Sequence, residues 1–215
     1  MLVVLPLLGF FLGVRYGAEK ERILTPFRCA AIAPPSYADQ SQWSEFDIDR
    51  AHFSIKSPID LPLEEFGWMD TSEWRRDSNG VSGVKLLSIT VPKLFEPMSN
   101  FLDATLTVGE SDDPTAVTQC LEYQLPDQYR SSISNETING VPYRISKDSG
   151  AAAGNRYDTT TYATVHNGQC VVLEYVIHST YLENYPASFG LHEFDENRVR
   201  GLLDRIVRTA SFSAR

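Results

Sequence analysis

Several residue types and motifs that would indicate a familiar chemistry are scarce or missing in this 215-residue sequence. Its 4 histidines are scattered without a His-x-x-x-His spacing, and its 3 cysteines form no Cys-x-x-Cys pair, so a zinc site lacks its usual signature. There is also no Gly-x-Ser-x-Gly elbow, Walker loop or Gly-x-Gly-x-x-Gly fingerprint. We therefore predict no catalytic residue, no metal site and no cofactor.

Basic residues are also fewer than acidic residues. The sequence has 19 Lys and Arg against 28 Asp and Glu, which gives a net charge of −9, and no basic cluster interrupts that balance. Because nucleic-acid binding depends on cationic contacts to phosphate, a nucleic-acid partner is not expected. The same excess of acid disfavours docking on anionic lipid. The remaining composition, 42% hydrophobic and 22% charged, is typical of a folded protein.

The amino terminus contains an uncharged apolar run, residues 2–14. As a helix this run would be roughly 20 Å long, and Arg15 and Tyr16 would extend it toward the roughly 30 Å hydrocarbon core of a bilayer. We favour a membrane anchor over a cleaved signal peptide, whose apolar region has a similar length, and either of these over a buried core helix. The sequence then divides into an anchor or signal segment (1–22), a tether (23–45) and one domain (46–215).

The orientation of the domain is ambiguous from charge alone. The first basic residues, Arg15, Lys20 and Arg22, all follow the apolar run, and the positive-inside rule would leave the domain in the cytoplasm. The cysteines, two of which are candidates for a disulfide, favour an oxidising compartment instead. An internal start at Met1, with a basic stretch missing before it, would reconcile the two. We predict a membrane-anchored domain outside the cytoplasm (periplasmic, lumenal or at the cell surface).

The domain is rich in strand signals. Residues 84–91 and 102–108 favour strands, and Asn139-Gly140 and Asn167-Gly168 predict two tight hairpin turns. Residues 170–177 are apolar on both faces except at Glu174, as in a central strand. Two helices have capping residues, one after Ser111-Asp112-Asp113 and an amphipathic one after Asp195. The predicted fold is α+β: an α/β/α sandwich with a central antiparallel sheet of about six strands, preceded by an N-terminal hydrophobic helix.

Four parts of the sequence resemble the PsbP-like superfamily, which includes many uncharacterised exported bacterial proteins. They are the segment 53–58, the aromatic-rich bend around Trp68 and Trp74, the hairpin 168–175 and the ending 206–212. The resemblance covers residues 53–212 and is one of pattern and element order. It implies an α/β/α sandwich used as an extrinsic accessory or interaction module, in plants at the lumenal face of photosystem II. No metal-binding or partner-binding residue of the plant protein matches a position here.

Two of the three cysteines are candidates for a disulfide. Cys120 lies on the apolar face of its predicted helix and Cys170 opens the predicted central strand, so a helix-to-sheet bridge is sterically reasonable. The alternative is two separate buried thiols, which behave as small hydrophobes. We favour the bridge, because a domain outside the cytoplasm permits it.

One histidine is a candidate for a ligand pocket. His178 comes where the predicted central strand ends and is followed by Tyr181 and Tyr185, and a polar pocket can open at such a strand end. Glu174 is a second candidate, because a buried carboxylate needs a partner. For His178 we favour the simpler interpretation of a histidine bonded to nearby groups. The acidic and aromatic stretch 63–74 is either a partner-contact loop or a loop pinned to the core by its tryptophans.

We therefore predict a non-catalytic, membrane-tethered, extracytoplasmic accessory or interaction module. One form of such a module is a small subunit of a membrane protein complex. The expected partners are the membrane, through residues 1–22, and a protein. The alternative is an enzyme or small-ligand receptor with a pocket near His178.

Overall fold

The computed structural model describes residues 35, 37–66, 74–75, 80–122 and 132–213. Its strands are β1 (Trp43–Ile48), β2 (Phe53–Pro58), β3 (Leu63–Glu65), β4 (Val84–Val91), β5 (Phe101–Ser111), β6 (Ser132–Ile138), β7 (Val141–Ala152), β8 (Asn155–His166), β9 (Gln169–Thr180) and β10 (Ser211–Phe212). Its α-helices are α1 (Pro114–Gln119) and α2 (Glu196–Val207). The predicted N-terminal helix and anchor, and residues 23–34 of the predicted tether, lie outside the described residues. None of the helices described between residues 35 and 213 is long and apolar enough to cross a membrane.

The strands form two antiparallel sheets. The large sheet has seven strands in the order β3-β4-β5-β9-β8-β7-β6, and the small sheet has three in the order β1-β2-β10. Both predicted hairpin turns are present, and Asn139 and Gly140 have φ angles of 48° and 83°, the pair of left-handed conformations that an Asn-Gly turn supplies. Strand β9 is central, as its apolar faces predict.

The main core lies between one face of the large sheet, the small sheet and α2. Alternate residues of β9, including Leu173, Tyr175 and Ile177, point into it, because side chains along a strand alternate between faces. Helix α2 begins where the carboxylate of Asp195 accepts a hydrogen bond from the Arg198 amide at 3.0 Å. Its apolar stripe fills the core with Val199, Leu202, Leu203, Ile206 and Val207.

A second, smaller core lies on the opposite face of β9. It contains Cys170 and Val172 of β9 together with Trp74, Ala116, Cys120 and Ala163. Trp74 is fully buried, and its indole N–H donates to the carbonyl of Val81 at 3.0 Å. A Cβ added at Gly109 would lie 2.1 Å from the backbone oxygen of Trp74, so only glycine allows this approach. Trp74 therefore pins its segment to the core.

The fold prediction holds in part. Antiparallel sheet dominates the described residues, and α1 and α2 cover only parts of the large sheet, so the domain is mostly β. The large sheet has seven strands instead of six, because the three-residue strand β3 is too short to give a periodic pattern. The small sheet was not predicted, because its pairing joins β2 to β10, more than 150 residues away.

Candidate interaction surface

Four chain connections meet at one end of the large sheet, which we call the loop end. They are residues 59–62, 92–100, 153–154 and 181–195. Hydrogen bonds join them to one another and to the adjoining strand ends: the Thr90 amide donates to Pro62, the Thr180 amide to Asn100, and the Tyr181 amide to Gly154. Because β4 and β9 end here and β5 and β8 begin here, antiparallel pairing fixes this arrangement.

Large apolar side chains are exposed at the loop end. Five of the eight exposed large hydrophobic residues in the described chain lie there, and we call them the loop-end surface. They are Ile59 (68% exposed), Leu94 (75%), Met98 (58%), Tyr181 (44%) and Phe189 (57%). Single exposed apolar residues are ordinary, but a concentration at one end of a domain is typical of an interaction site.

The connection between β4 and β5 is held firmly from within. The ammonium group of Lys93 donates to the carbonyls of Ser99 and Phe101, and its burial lowers the pKa of Lys93. The Ser99 hydroxyl donates to the carbonyl of Glu96 at 2.7 Å and accepts from the Phe101 amide at 3.2 Å. These bonds fix the backbone that carries Leu94 outward.

Met98, in the same connection, has a strained backbone. Its φ of 56° lies in the left-handed region, which costs a bulky residue about 1–2 kcal/mol. The His192 amide donates to the Met98 carbonyl at 3.1 Å and the Asn100 amide donates back to the His192 carbonyl at 2.9 Å, which holds the loop in this state. Strain of this kind concentrates at functional sites, and here it accompanies an exposed apolar side chain.

The described chain also enters the domain at the loop end. One guanidinium nitrogen of Arg198 donates to the Glu96 carboxylate at 2.7 Å and to the Phe95 carbonyl at 3.0 Å, and the other donates to the Pro35 carbonyl at 2.8 Å. The Tyr37 ring stacks on the Phe95 ring with centroids 5.8 Å apart. Burial, together with the charge of Asp60, raises the pKa of Tyr37. Residues 35 and 37 of the predicted tether are therefore packed at the loop end, where Tyr37 contacts the connection that contains Leu94.

His178 is bound by its neighbours on the face of the sheet. Its Nε2 lies 3.0 Å from the Asn155 side-chain oxygen, its Nδ1 lies 3.4 Å from an Asp103 carboxylate oxygen, and its ring stacks on Tyr157 at 4.6 Å. The Asn155 amide nitrogen faces the carbonyls of residues 152 and 153, which orients its oxygen toward the imidazole. This arrangement links β5, β8 and β9.

Each of the other predicted pocket residues has its own described surroundings. Tyr185 lines an open cleft of about 320 Å³ whose lining residues do not include His178, and its ring lies 6.3 Å from that of Phe189. Tyr181 is exposed. Glu174 is buried in the middle of β9, where its carboxylate accepts from the Thr161 hydroxyl at 2.8 Å. A pocket that unites these residues stays a prediction.

The predicted disulfide is confirmed. Cys120 and Cys170 are bridged with their Cα atoms 5.5 Å apart, and both are buried. The bridge ties the end of α1 to the start of β9, so the alternative of two separate thiols is wrong.

Of the five residues of the loop-end surface, sequence reasoning singled out Tyr181 alone, and as a pocket residue. Leu94 and Met98 belong to a short segment that Pro92 and Pro97 punctuate, and apolar residues in such a turn-rich connection were the available signal. In the acidic and aromatic stretch 63–74, β3 and the buried Trp74 belong to the folded sheet and core, and residues 67–73 lie outside the described chain.

Comparison with known proteins gives two similar solved structures. No family model and no curated protein matches the sequence. The solution structure of cyanobacterial PsbP (CyanoP) from Synechocystis sp. PCC 6803 is 11% identical, with a TM-score of 0.40, over 85% of this chain and 99% of that one. A crystal structure from Bacteroides thetaiotaomicron VPI-5482 is 14% identical, with a TM-score of 0.40, over 80% of this chain and 49% of that one. The first of these structures is a PsbP protein, from the superfamily that the sequence resembles.

Proposed function

We propose that this chain is a non-catalytic interaction module that is held at a membrane, outside the cytoplasm, by its amino-terminal segment and that docks on a partner through the loop-end surface. The observation that carries the proposal is the connection between β4 and β5, where internal hydrogen bonds hold Leu94 and Met98 in solvent. Removing apolar surface from water gains about 25 cal/mol per Å². A loop that is already rigid loses little conformational entropy when it binds.

Two further observations support the location. The bridge between Cys120 and Cys170 is typical of compartments where disulfides persist, outside the cytoplasm. The chain enters the described domain beside the loop-end surface, at Pro35 and Tyr37. The partner proposed here is itself at the membrane, such as a complex of which this chain is a small subunit.

The test is a pair of double variants of the full chain, purified from native membranes in mild detergent. Leu94→Ser/Met98→Ser removes the two apolar side chains that the loop presents. Ile133→Ser/Val165→Ser is the matched control, because these side chains are also exposed but lie outside the loop end. We expect wild type and control to retain a stoichiometric membrane-protein partner and the loop-end variant to lose it, with equal unfolding midpoints for both variants.

Retention of the partner by Leu94→Ser/Met98→Ser, at the level of the control, would contradict the proposal. Extraction of the wild-type chain from membranes by alkaline carbonate would contradict the tether. Small-molecule binding in the cleft beside Tyr185, without any protein partner, would favour the alternative of a ligand receptor.

A further inference from the structure

The charge around the loop-end surface defines the partner more narrowly. We infer that this surface docks into an apolar hollow rimmed by lysine and arginine on a protein, and not onto lipid. The inference rests on the proposed function, since it names the chemistry of the partner that the same surface would bind.

The connections that form the loop end carry an excess of exposed carboxylates. Four such residues lie in the same connections as the apolar side chains: Asp60, Glu183, Glu193 and Asp195. Two of them are held in fixed positions, because Glu193 accepts from the Asn100 side-chain amide at 2.8 Å and Asp195 caps α2. The acidic rim is thus part of the folded surface.

Within the four described connections, lysine and arginine do not balance this rim. Lys93 is the only lysine or arginine in the four connections, and its ammonium group is engaged with two backbone carbonyls inside the loop. Arg198, at the start of α2, forms an ion pair with the buried Glu96 and bonds Pro35. The surface therefore presents apolar tips in a negative field, and a partner with the complementary pattern gains both apolar burial and electrostatic steering.

A lipid surface fits this pattern poorly. Anionic headgroups attract basic segments and repel acidic ones. Inserting Leu94 and Met98 into a neutral interface would carry the nearby carboxylates toward a medium of low dielectric constant, where charge is costly. A rigid loop with two projecting side chains instead suits a preformed hollow of the kind found at the centre of protein interfaces.

The experiment places a benzophenone photo-crosslinking amino acid at Leu94 or Phe189 of the full chain in native membranes. Positions Ile133 and Val165 serve as controls, because they are exposed outside the loop end. We expect crosslinks from 94 and 189, but not from 133 and 165, to one protein segment that contains lysine or arginine, identified by mass spectrometry.

Two double variants test whether binding depends on the acidic residues of the loop end. Asp60→Lys/Glu183→Lys should lower the crosslinking yield from position 94 several-fold. Asp112→Lys/Glu122→Lys, which changes the net charge equally at exposed sites outside the loop end, should leave the yield unchanged.

Each of the other outcomes contradicts the inference, the proposed function or both. Crosslinks from 94 to lipid, or to a protein segment without basic residues and with no response to the charge variants, overturn the inference. Crosslinks to a protein only from 133 and 165 overturn docking through the loop-end surface, and with it the inference, but leave standing an interaction module that uses another surface. A chain that pellets with membranes but crosslinks to nothing, and that yields no stoichiometric partner, overturns both.

Discussion

Removing the disulfide tests how α1 is joined to the large sheet. Cys120→Ala/Cys170→Ala deletes a covalent link that closes a loop of 50 residues. In the chain-entropy treatment, a loop of this length restricts the unfolded chain by about 4 kcal/mol at 25 °C. With a urea m-value of about 2 kcal/mol/M, the unfolding midpoint should fall by about 2 M. The m-value should rise slightly, because the unlinked unfolded chain is less compact.

The assay is urea denaturation of the full chain in detergent, followed by tryptophan fluorescence. Cys29→Ser is the matched control, because it removes a thiol and leaves the bridge intact. The folded far-UV circular dichroism of the double variant should match that of wild type, since the effect resides mainly in the unfolded state. A midpoint for the double variant equal to that of wild type would refute the reasoning, as would a wild-type midpoint that does not respond to reductant.

Three further predictions concern packing and titration in the domain. Gly109→Ala should lower the free energy of unfolding by about 3 kcal/mol, because its Cβ would lie 2.1 Å from the backbone oxygen of Trp74. Gly201→Ala in α2, whose Cβ would meet nothing within 4 Å, should raise the free energy of unfolding by about 0.5–1 kcal/mol. Urea unfolding midpoints measure both changes. Asp204→Ala should lower the free energy of unfolding by about 2 kcal/mol in the same assay, because the hydroxyls of Tyr162 and Tyr175 both donate to this carboxylate, at 2.9 and 2.8 Å. Asp204→Asn should lower it less. Burial, with the charge of Asp204 as a second cause, raises the pKa of both tyrosines, so above about pH 10 the unfolded chain loses these protons first and the free energy of unfolding should fall as pH rises. A stability that stays level between pH 9 and 11 would refute this last prediction.

Local signals in the sequence were sufficient for the elements that depend on neighbouring residues. The Asn-Gly pairs fix both hairpin turns, and the stripe from Val199 to Val207 with its Asp195 cap fixes α2. The disulfide followed from the positions of Cys120 and Cys170 on predicted elements. In each case a short stretch of chain contains the whole physical cause.

Features that depend on distant pairing could not be read in this way. The small sheet requires β10 to meet β2, and the loop-end surface requires residues 92–100 to meet residues 181–195. Lys93 and Arg198 appear in the sequence as ordinary surface cations, yet in the fold they bind carbonyls and a buried carboxylate. No pattern of period 2 or 3.6 encodes such contacts.

The closure of the small sheet constrains when the domain is able to fold. Strand β2 pairs with β1 on one side and with β10, at the carboxyl end of the described chain, on the other. During synthesis, the second edge of β2 stays unpaired until Ser211 and Phe212 have emerged. The nascent chain therefore cannot complete the small sheet before these residues emerge, and a truncation before Ser211 would leave a permanent open edge.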